Sequence, residues 1–277
     1  MMQKDMKTGT EKSPLGDLGV LGKIVSRKLE EVAEAKQKVS VAELEANPNF
    51  DRKPLVFKDF LLDKGRTGII SEFKRRSPSK GLINGTADVA QVTQAYNLAG
   101  ASAISVLTDT DFFGGKADDL LKARAVNQIP ILRKDFMIDE YQILEAKAWG
   151  ADIILLIASI LTPKQIVDFG KLAQSLGLSV LLEVHDLAEL ERSICPHLDA
   201  IGVNNRNLGD FTVNIQTSFD LVNKIPDEFL KISESAIDNP QVIKELKAVG
   251  YNGFLIGENF MKTDDPGKAI KEFVAQL

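Results

Sequence analysis

The sequence predicts an α/β protein, a closed (β/α)8 barrel with extra helices ahead of its first strand. After Gly68, eight short runs rich in Ile, Val and Leu alternate with amphipathic segments. The runs lack polar alternation, which is typical of parallel strands covered on both faces. The chain has 277 residues, close to the length usual for this fold, about 250 residues.

The segment before the first strand predicts a tail and two helices. Residues 1–20 are polar and carry Gly, Ser and Thr, so we expect a flexible tail there. From Leu21 to about Glu45 apolar residues recur at a helical spacing that predicts an apolar stripe of Leu21, Ile24, Val25, Leu29, Val32 and Ala33. A second short helix is predicted over Pro54–Lys64. Residues 21–277 are therefore expected to form one barrel domain that includes these helices at about 21–64.

The predicted strands are short and apolar, and each is followed by a segment with helical character. They are Gly68–Phe73, Ala103–Leu107, Pro130–Lys134, Asp152–Ile157, Ser179–Glu183, Ala200–Asn204, Lys231–Ser235 and Gly253–Gly257. An open doubly wound sheet is the alternative, since it also alternates strands and helices. No Gly-x-Gly-x-x-Gly follows the first strand, and the count of eight units favours the barrel.

Helix starts and ends are marked between the strands. Asp139 and Thr162 begin segments that resemble capping boxes, with Pro163 at the first helical position. Asn239-Pro240 and Asp265-Pro266 indicate two further helix starts. Glycines follow four helical stretches, where a left-handed terminating residue is favoured: Gly100, Gly150, Gly177 and Gly250.

Composition and charge narrow the functional classes. The formal net charge of −5 argues against a general nucleic-acid binder. Cys195 is the only cysteine and there are two histidines, so we expect neither a disulfide framework nor a metal centre. Cys195 lies at a predicted helix end and is expected to be a packed thiol.

The longest apolar run, Ile153–Leu161, is far short of the roughly 20 residues that a membrane span needs. Because residues 1–20 have no apolar core, we expect no signal peptide and a cytoplasmic protein.

Charged and polar residues follow the strands at one end of the predicted barrel. Glu72 and Lys74 share one face of the first strand, with Phe73 on the other. Further strands end at Lys134, Glu183, Asn204 with Arg206, Ser235, and Gly257-Glu258-Asn259. Active sites of such barrels lie at the C-terminal ends of the strands. This asymmetry predicts catalysis, and the alternative is a charge-balanced structural network.

Two lysines and two glutamates at one cavity would perturb one another. The proximity of Lys74 and Lys134 is expected to lower the pKa of at least one lysine, while Glu72 and Glu183 oppose this. A lysine that exchanges protons near neutral pH contributes about 10²–10⁴ in rate.

The last two strands predict a phosphate site. Barrels of this kind often bind phosphate through backbone N–H groups of the loops after strands seven and eight. Ala236, Gly257, Glu258 and Asn259 lie in those loops, and the Glu258 side chain is expected to turn away. Ser77 and Lys80, in a Ser-Pro-Ser-Lys-Gly turn, would close over the phosphate from the first strand.

The ordered set of motifs resembles the indole-3-glycerol phosphate synthase family over nearly the whole chain from about Leu21. The motifs are Glu-Phe-Lys-Arg-Arg-Ser-Pro-Ser-Lys-Gly at 72–81, Leu-Arg-Lys-Asp-Phe at 132–136, Leu-Glu-Val at 182–184, Gly-Val-Asn-Asn-Arg-Asn-Leu at 202–208 and Glu-Ser at 234–235. Membership implies a lyase that cyclises 1-(2-carboxyphenylamino)-1-deoxyribulose 5-phosphate, with loss of CO2 and water, in tryptophan biosynthesis. It implies no redox step, metal or other cofactor. A monomer, and contact with other tryptophan-pathway enzymes, are compatible with the sequence.

The resemblance also implies residue roles. Lys134 is the expected general acid, Lys74 pairs with the substrate carboxylate and shares the acid role, and Glu183 is the acid/base of dehydration. Three residues would orient the lysines and the substrate hydroxyl groups: Glu72, Asn204 and Ser235. Arg206 would lie beside the carboxylate, and the anilino ring would be walled by Phe113, Phe136, Leu208 and Leu156.

One position departs from the family pattern. The family usually has Glu-Ser-Gly after strand seven, whereas this chain has Ala236 in place of the glycine. A Cβ there would strain any backbone with positive φ. The N-terminal helices correspond to the family's extension over the barrel mouth.

Two alternatives remain at this stage. A phosphoribosylanthranilate isomerase would need a Cys/Asp acid–base pair, but Cys195 lies off the strand ends. A non-catalytic barrel that binds phosphosugars is the other, and the intact Lys74, Lys134 and Glu183 argue against it.

Overall fold

The computed structural model describes residues 19–207, 209 and 211–277. Within them, eight parallel strands close into a barrel, which confirms the predicted fold class. The strands are β1 Ile69–Phe73, β2 Ala103–Leu107, β3 Ile131–Lys134, β4 Ile153–Ile157, β5 Ser179–Val184, β6 Ala200–Asn204, β7 Leu230–Glu234 and β8 Gly253–Ile256.

Each strand pairs with its neighbours in the chain, and the first strand pairs with the last. Ile69 of β1 lies opposite Phe254 of β8, which closes the ring. Residues on both faces of the strands are buried, because side chains fill the barrel interior and helices cover the outside. This double burial explains why the strands are nearly continuous apolar runs.

Helices follow every strand and form the outer layer. Those of the described chain are α1 Gly19–Lys38, α2 Val41–Glu45, α3 Phe57–Leu61, α4 Val89–Leu98, α5 Ala117–Val126, α6 Glu140–Ala148, α7 Pro163–Ser175, α8 Leu187–Ser193, α9 Gln216–Leu221, α10 Pro240–Ala248, α11 Glu258–Met261 and α12 Pro266–Val274, with a 3-10 turn at Val222–Lys224. The predicted capping boxes at Asp139 and Thr162 are both present. The four terminating glycines all have positive φ, between 76° and 111°.

The N-terminal helices differ from the prediction in their bounds. The single helix expected from Leu21 to about Glu45 is two helices, because Ser40 caps α2 in a reciprocal capping box with Glu43 and ends the continuous run. The helix expected over Pro54–Lys64 is confined to Phe57–Leu61. Of the predicted tail, residues 1–18 lie outside the described residues, and α1 begins at Gly19.

Helix α1 packs against the barrel through an apolar stripe. Leu21, Ile24 and Val25 are buried in the main core, whereas Leu29, predicted to belong to the stripe, is 56% exposed. Lys28 is buried in its place. The stripe therefore contains a charged residue, whose partners lie at the ends of β2 and β3.

The opposite end of the barrel is held by Asp152, which has no exposed surface. Its carboxylate accepts from Arg52 and Arg124, both at 2.8 Å, and from the backbone N–H groups of Leu55 and Ile131. One carboxylate thus joins the segment before α3, helix α5 and the start of β3.

Two further expectations concern residues away from the barrel ends. Cys195 is a buried free thiol just after α8, as predicted. No helix in the part of the chain that the structure describes is long and apolar enough to cross a membrane.

Candidate active site

A cavity of about 290 Å³ opens at the C-terminal ends of the strands. Its walls come from strand ends, from the loops that follow them and from the start of α1. Of the residues predicted for the site, those that line the cavity are Glu72, Lys74, Ser77, Phe113, Lys134, Phe136, Glu183, Asn204, Arg206, Ser235, Ala236, Gly257, Glu258 and Asn259. The structure therefore brings most of the predicted residues together at one place.

The centre of the cavity holds a buried cluster of one lysine and two glutamates. The Lys134 ammonium lies 2.6 Å from Glu183 Oε2 and 3.2 Å from Glu234 Oε2. Glu234 ends β7, opposite Asn204 of β6 in the strand register. Its Oε1 lies against Gly202, where a Cβ would overlap it, so any other residue at this position of β6 would require the Glu234 carboxylate to move. That oxygen has no hydrogen-bond partner among the described residues.

The charges of this cluster determine its protonation. Burial alone would lower the pKa of Lys134, but the carboxylates of Glu183, Glu234 and Glu72 outweigh burial and raise it. The expectation of a lowered lysine pKa is wrong for Lys134, because carboxylates surround its ammonium more closely than any other cation does. Lys134 therefore stays charged at neutral pH, which suits it to stabilise negative charge that develops nearby.

The two glutamates are affected in opposite directions. Burial raises the pKa of both, but the close Lys134 ammonium lowers the pKa of Glu183 below its ordinary value. Burial and the neighbouring Glu183 charge raise the pKa of Glu234 well above its ordinary value, since one ammonium cannot balance two carboxylates. The cluster thus favours an ionised Glu183 beside a Glu234 whose pKa, raised to about 7, lets it gain and lose a proton near neutral pH.

A second ion pair lies on β1, where Glu72 Oε1 is 2.6 Å from the Lys74 ammonium. Both side chains line the cavity, while Phe73 is buried in the core, as the alternation of the strand predicts. Gly257 allows this arrangement, since a Cβ there would come within 2.8 Å of the Glu72 Cβ.

The Glu183 carboxylate is oriented by its neighbours. Asn204 donates to Glu183 Oε1 at 3.1 Å, and Ser235 Oγ donates to the Asn204 side-chain oxygen at 2.9 Å. His185 Nε2 lies 3.4 Å from the same Glu183 oxygen, and His185 Nδ1 contacts Glu189 at 3.0 Å. The sequence suggested no role for His185, although it lies two residues after Glu183 and so on the same face of the strand.

Aromatic rings form one wall of the cavity. The rings of Phe113 and Phe136 lie 5.8 Å apart and are tilted by 40°. Leu156, predicted for this wall, does not line the cavity: it points to the helix side of β4, and Leu155 and Ile157 face inward instead. The predicted Leu208 lies outside the described residues.

The predicted phosphate end has an unusual backbone. Ser235 and Ala236 follow β7 with φ of 64° and 59°, so Ala236 occupies the positive-φ position that the family's glycine would favour. Gly257 precedes the short helix α11, whose first N–H groups have no acceptor within the helix. Residues of both loops line the cavity, among them Ser235, Ala236, Gly257 and Asn259.

The rim of this end differs from the prediction in two respects. The Glu258 side chain does not turn away from the cavity: its carboxylate lies 3.6 Å from Arg206 Nη2 and 3.7 Å from the Lys80 ammonium. Lys80 is half exposed and lies outside the cavity lining, while Ser77, in the hairpin formed by Arg76–Ser77 and Gly81–Leu82, faces inward. The Glu258 carboxylate therefore pairs with Arg206 and Lys80, the two cations expected to face the anionic groups of the substrate.

Sequence reasoning missed several residues that line the cavity. Glu234 was included in a motif but given no role, because strand seven was predicted to end at Ser235 and that residue was taken as its polar end, whereas β7 ends at Glu234. Helix α1 contributes Val20, Leu21 and Ile24, and the loop after β6 contributes Phe211 and Val213. Across residues 19–207, 209 and 211–277, no group of three or more His, Cys, Asp or Glu side chains is arranged to hold a metal ion.

The sequence matches one family of known proteins over nearly its whole length. A family model described as indole-3-glycerol phosphate synthase matches residues 21–273. A protein of that name from Bacteroides thetaiotaomicron is 44% identical over 258 residues, which cover 93% of this chain and 98% of the relative. Relatives of the same name from Acidovorax sp. (strain JS42) and Bordetella pertussis are each 42% identical, covering 92% of this chain and 99% of the relative.

More distant structures share the fold. A structure described as an N-acetylmannosamine-6-phosphate 2-epimerase from Clostridium perfringens aligns with a TM-score of 0.56 at 16% identity, over 78% of this chain and 96% of that one. One described as native KDPGal aligns with a TM-score of 0.53 at 12% identity, over 76% and 91%. At these identities the likeness shows the barrel alone.

Proposed function

The chain belongs to the indole-3-glycerol phosphate synthase family, and from this premise we propose which residues of the cavity carry out each step. The protein is an enzyme of tryptophan biosynthesis, a carboxy-lyase. Its substrate is a phosphorylated small molecule, 1-(2-carboxyphenylamino)-1-deoxyribulose 5-phosphate.

In the first step the ring carbon that bears the carboxylate attacks the ketone carbon. Negative charge develops on the ketone oxygen, and the Lys134 ammonium donates a proton to it to give a hydroxyl group. The raised pKa keeps Lys134 charged but makes it a weaker acid, so its proton moves only as the ketone oxygen becomes a strongly basic alkoxide. Loss of CO2 then leaves its electron pair in the ring and restores aromaticity.

The second proton transfer removes water. Glu183, whose pKa is lowered, is the acceptor of the proton lost from the carbon beside the nitrogen. Glu234, whose pKa is raised, donates a proton to the departing hydroxyl, directly or by recharging Lys134 at 3.2 Å. Groups whose neighbours move their pKa values apart are suited to opposite acid and base roles.

The remaining residues hold the substrate. Lys74, kept in place by Glu72, pairs with the substrate carboxylate together with Arg206 and shares the acid role. Asn204 and Ser235 orient Glu183 and the hydroxyl groups, and Phe113 and Phe136 wall the anilino ring. The phosphate is bound by backbone groups of the loops after β7 and β8, at Ala236, Gly257, Glu258 and Asn259. The side chains of Ser77 and Lys80, in the loop after β1, assist.

The observation that carries this proposal is a charged lysine between two buried carboxylates at the C-terminal ends of β3, β5 and β7. We expect Lys134→Ala to abolish detectable turnover, measured as the fluorescence of the indole product. Affinity for a non-reactive analogue, in which the ketone is reduced to an alcohol, should stay within about tenfold, because removing a group that acts in the transition state spares ground-state binding.

Lys80→Ala is the matched control, since it removes a lysine at the rim rather than at the reacting carbon. It should raise KM and leave kcat nearly unchanged. A near wild-type rate for Lys134→Ala would contradict its assignment as the acid. A folded wild-type protein that binds the analogue tightly but forms no indole would support the non-catalytic, phosphosugar-binding alternative.

A further inference from the structure

Lys28 of α1 is a buried lysine that has no role in the steps above. Its side chain is only 4% exposed, and its ammonium lies 2.9 Å from Asp109, 2.9 Å from Asp135 and 2.6 Å from Glu31. Asp109 follows β2 and Asp135 follows β3, so one ammonium joins α1 to two loops of the barrel mouth. Lys28 itself is not part of the cavity lining.

Both aspartates also hold the backbone of the aromatic wall. Asp109 Oδ1 accepts from the N–H groups of Phe112 at 2.9 Å and Phe113 at 3.1 Å. Asp135 Oδ1 accepts from the N–H of Phe136 at 2.8 Å. The two rings that contact each other in the cavity are therefore each tied, through a single carboxylate, to the same ammonium.

The same helix contributes its own apolar residues to the cavity. Ile24 lies one turn before Lys28 on the same face of α1, and it lines the cavity together with Leu21. Lys28 thus lies where three parts of the site meet: α1, the loop that carries Phe113 and the loop that carries Phe136. A change at this point displaces all three surfaces together.

Stability alone does not account for a lysine here. Removing two or more charges from water is costly, and apolar residues of similar volume often stabilise a protein as well as a buried ion pair does. The geometry that the ion pairs impose, rather than their net energy, is what an apolar replacement would lose. This points to a function in placing the surrounding groups.

We propose that Lys28 is a positioning residue for the aryl ring of the substrate. By holding Asp109 and Asp135, it sets the Phe113–Phe136 wall at the correct distance from Ile24, so that a flat ring fits between them. The inference rests on the proposed function, which assigns this wall to the anilino ring. It adds a residue that acts on ring recognition without touching the ring.

The test compares two ligands, one with and one without the carboxyphenylamino group. The first is the non-reactive analogue with a reduced ketone, and the second is ribitol 5-phosphate, in which a hydroxyl group replaces the carboxyphenylamino group. For Lys28→Met we expect affinity for the aryl analogue to fall by about tenfold or more, the equivalent of about 1.4 kcal/mol, while affinity for ribitol 5-phosphate changes by less than about twofold. Isothermal titration calorimetry measures both.

Two further variants keep the test decisive. Lys36→Met removes an exposed lysine of the same helix, which pairs with Asp139 at 2.7 Å, and should bind both ligands as the wild type does. If Lys28→Met does not fold, the double variant Lys28→Met/Asp109→Asn replaces it. The Asn side chain removes the uncompensated carboxylate, and its oxygen still accepts from the N–H groups of Phe112 and Phe113. The same two affinities are then measured on the double variant.

Equal losses for both ligands, or no loss for the aryl analogue, would overturn the inference and leave Lys28 a structural ion pair. A wild-type protein that neither binds the analogue nor forms indole would instead contradict the proposed function. The two failures are therefore distinguishable.

Discussion

At the scale of single residues, backbone strain is concentrated at the cavity. In the part of the chain that the structure describes, the non-glycine residues with positive φ are Phe211, Ser235 and Ala236, and all three line the cavity. Such conformations persist only where the surrounding structure enforces them, and they cluster at functional sites. The two consecutive residues after β7 turn the backbone toward the proposed phosphate.

Ala236→Gly should relieve part of this strain. A left-handed backbone costs a non-glycine residue about 1–2 kcal/mol, and the greater freedom of glycine in the unfolded chain offsets about 0.5–1 kcal/mol of the gain. We therefore expect a net stabilisation of up to about 1 kcal/mol in urea unfolding, with no loss of activity.

The same substitution at Ala99, the C-cap of α4 with φ of −78°, is the control and should not stabilise. A destabilised Ala236→Gly variant would show that the loop is held by contacts of the Ala236 methyl group rather than strained by it.

At the scale of elements, the position of each side chain depends on which residue ends its strand. Glu72, Lys74, Lys134 and Glu183 could be predicted because each one follows an apolar run, and a charge at the end of a buried strand is conspicuous. Glu234 was not assigned, because the predicted strand ended one residue later, at Ser235, and that residue was taken as the polar strand end. Leu156 was misplaced for a different reason: its role came from resemblance, whereas the alternation of β4 favours Leu155 and Ile157.

The contact between β6 and β7 gives a prediction at this scale. In Gly202→Ala, the new Cβ would displace the Glu234 carboxylate, which lies against Gly202. Because misplacement of a catalytic group by about 1 Å costs on the order of 10²-fold in rate, we expect kcat to fall by at least about tenfold. Steady-state kinetics with the indole fluorescence assay measures it.

Gly253→Ala is the matched control for overpacking a barrel strand. Its Cβ would meet Ile232 Cδ1 at 2.8 Å and Leu61 Cδ1 at 3.1 Å, at the end of β8 remote from the cavity. Both variants should lose about 1–3 kcal/mol of stability, and only Gly202→Ala should lose kcat. Equal kinetic losses in the two variants would mean that overpacking, not displacement of Glu234, limits the rate.

At the scale of the whole molecule, the two ends of the barrel have different tasks. The cavity and its charged clusters lie at the C-terminal ends of the strands, while Asp152 joins three segments at the N-terminal ends. In such barrels, residues at the N-terminal end serve stability and those at the C-terminal end serve catalysis.

Asp152→Ala tests this division. It leaves Arg124, whose side chain is 7% exposed, without its buried carboxylate, so we expect a loss of about 3–5 kcal/mol in the free energy of unfolding. The kcat of the folded protein at 25 °C should remain close to wild type. A large fall in kcat without a fall in stability would contradict the division.

Glu272→Ala is the comparison, because Glu272 pairs with Lys268 at 3.7 Å and both side chains are well exposed. It should leave both the unfolding midpoint and kcat unchanged, since exposed ion pairs contribute little.

How far the sequence predicts this molecule also depends on scale. The barrel follows from repeated apolar runs and local helix signals, which each segment carries within itself. The partners of Lys28 cannot be predicted in this way, because Asp109 and Asp135 lie far along the chain and only the folded barrel brings them to α1. The signal in the sequence was a lysine one turn after Ile24, at a position of the apolar stripe. Helical periodicity alone assigned that position to Leu29.

Closure of the barrel by β1 and β8 has a consequence for biosynthesis. A chain emerges from the ribosome N-terminus first, at about 5–20 residues per second. One edge of β1 therefore stays unpaired until β8 has been synthesised. The backbone of Gly257, against which Glu72 packs, arrives with that strand. The nascent protein therefore completes the proposed catalytic centre only near the end of translation, and shortened chains that end before β8 carry Lys134 and Glu183 but not a complete barrel around them.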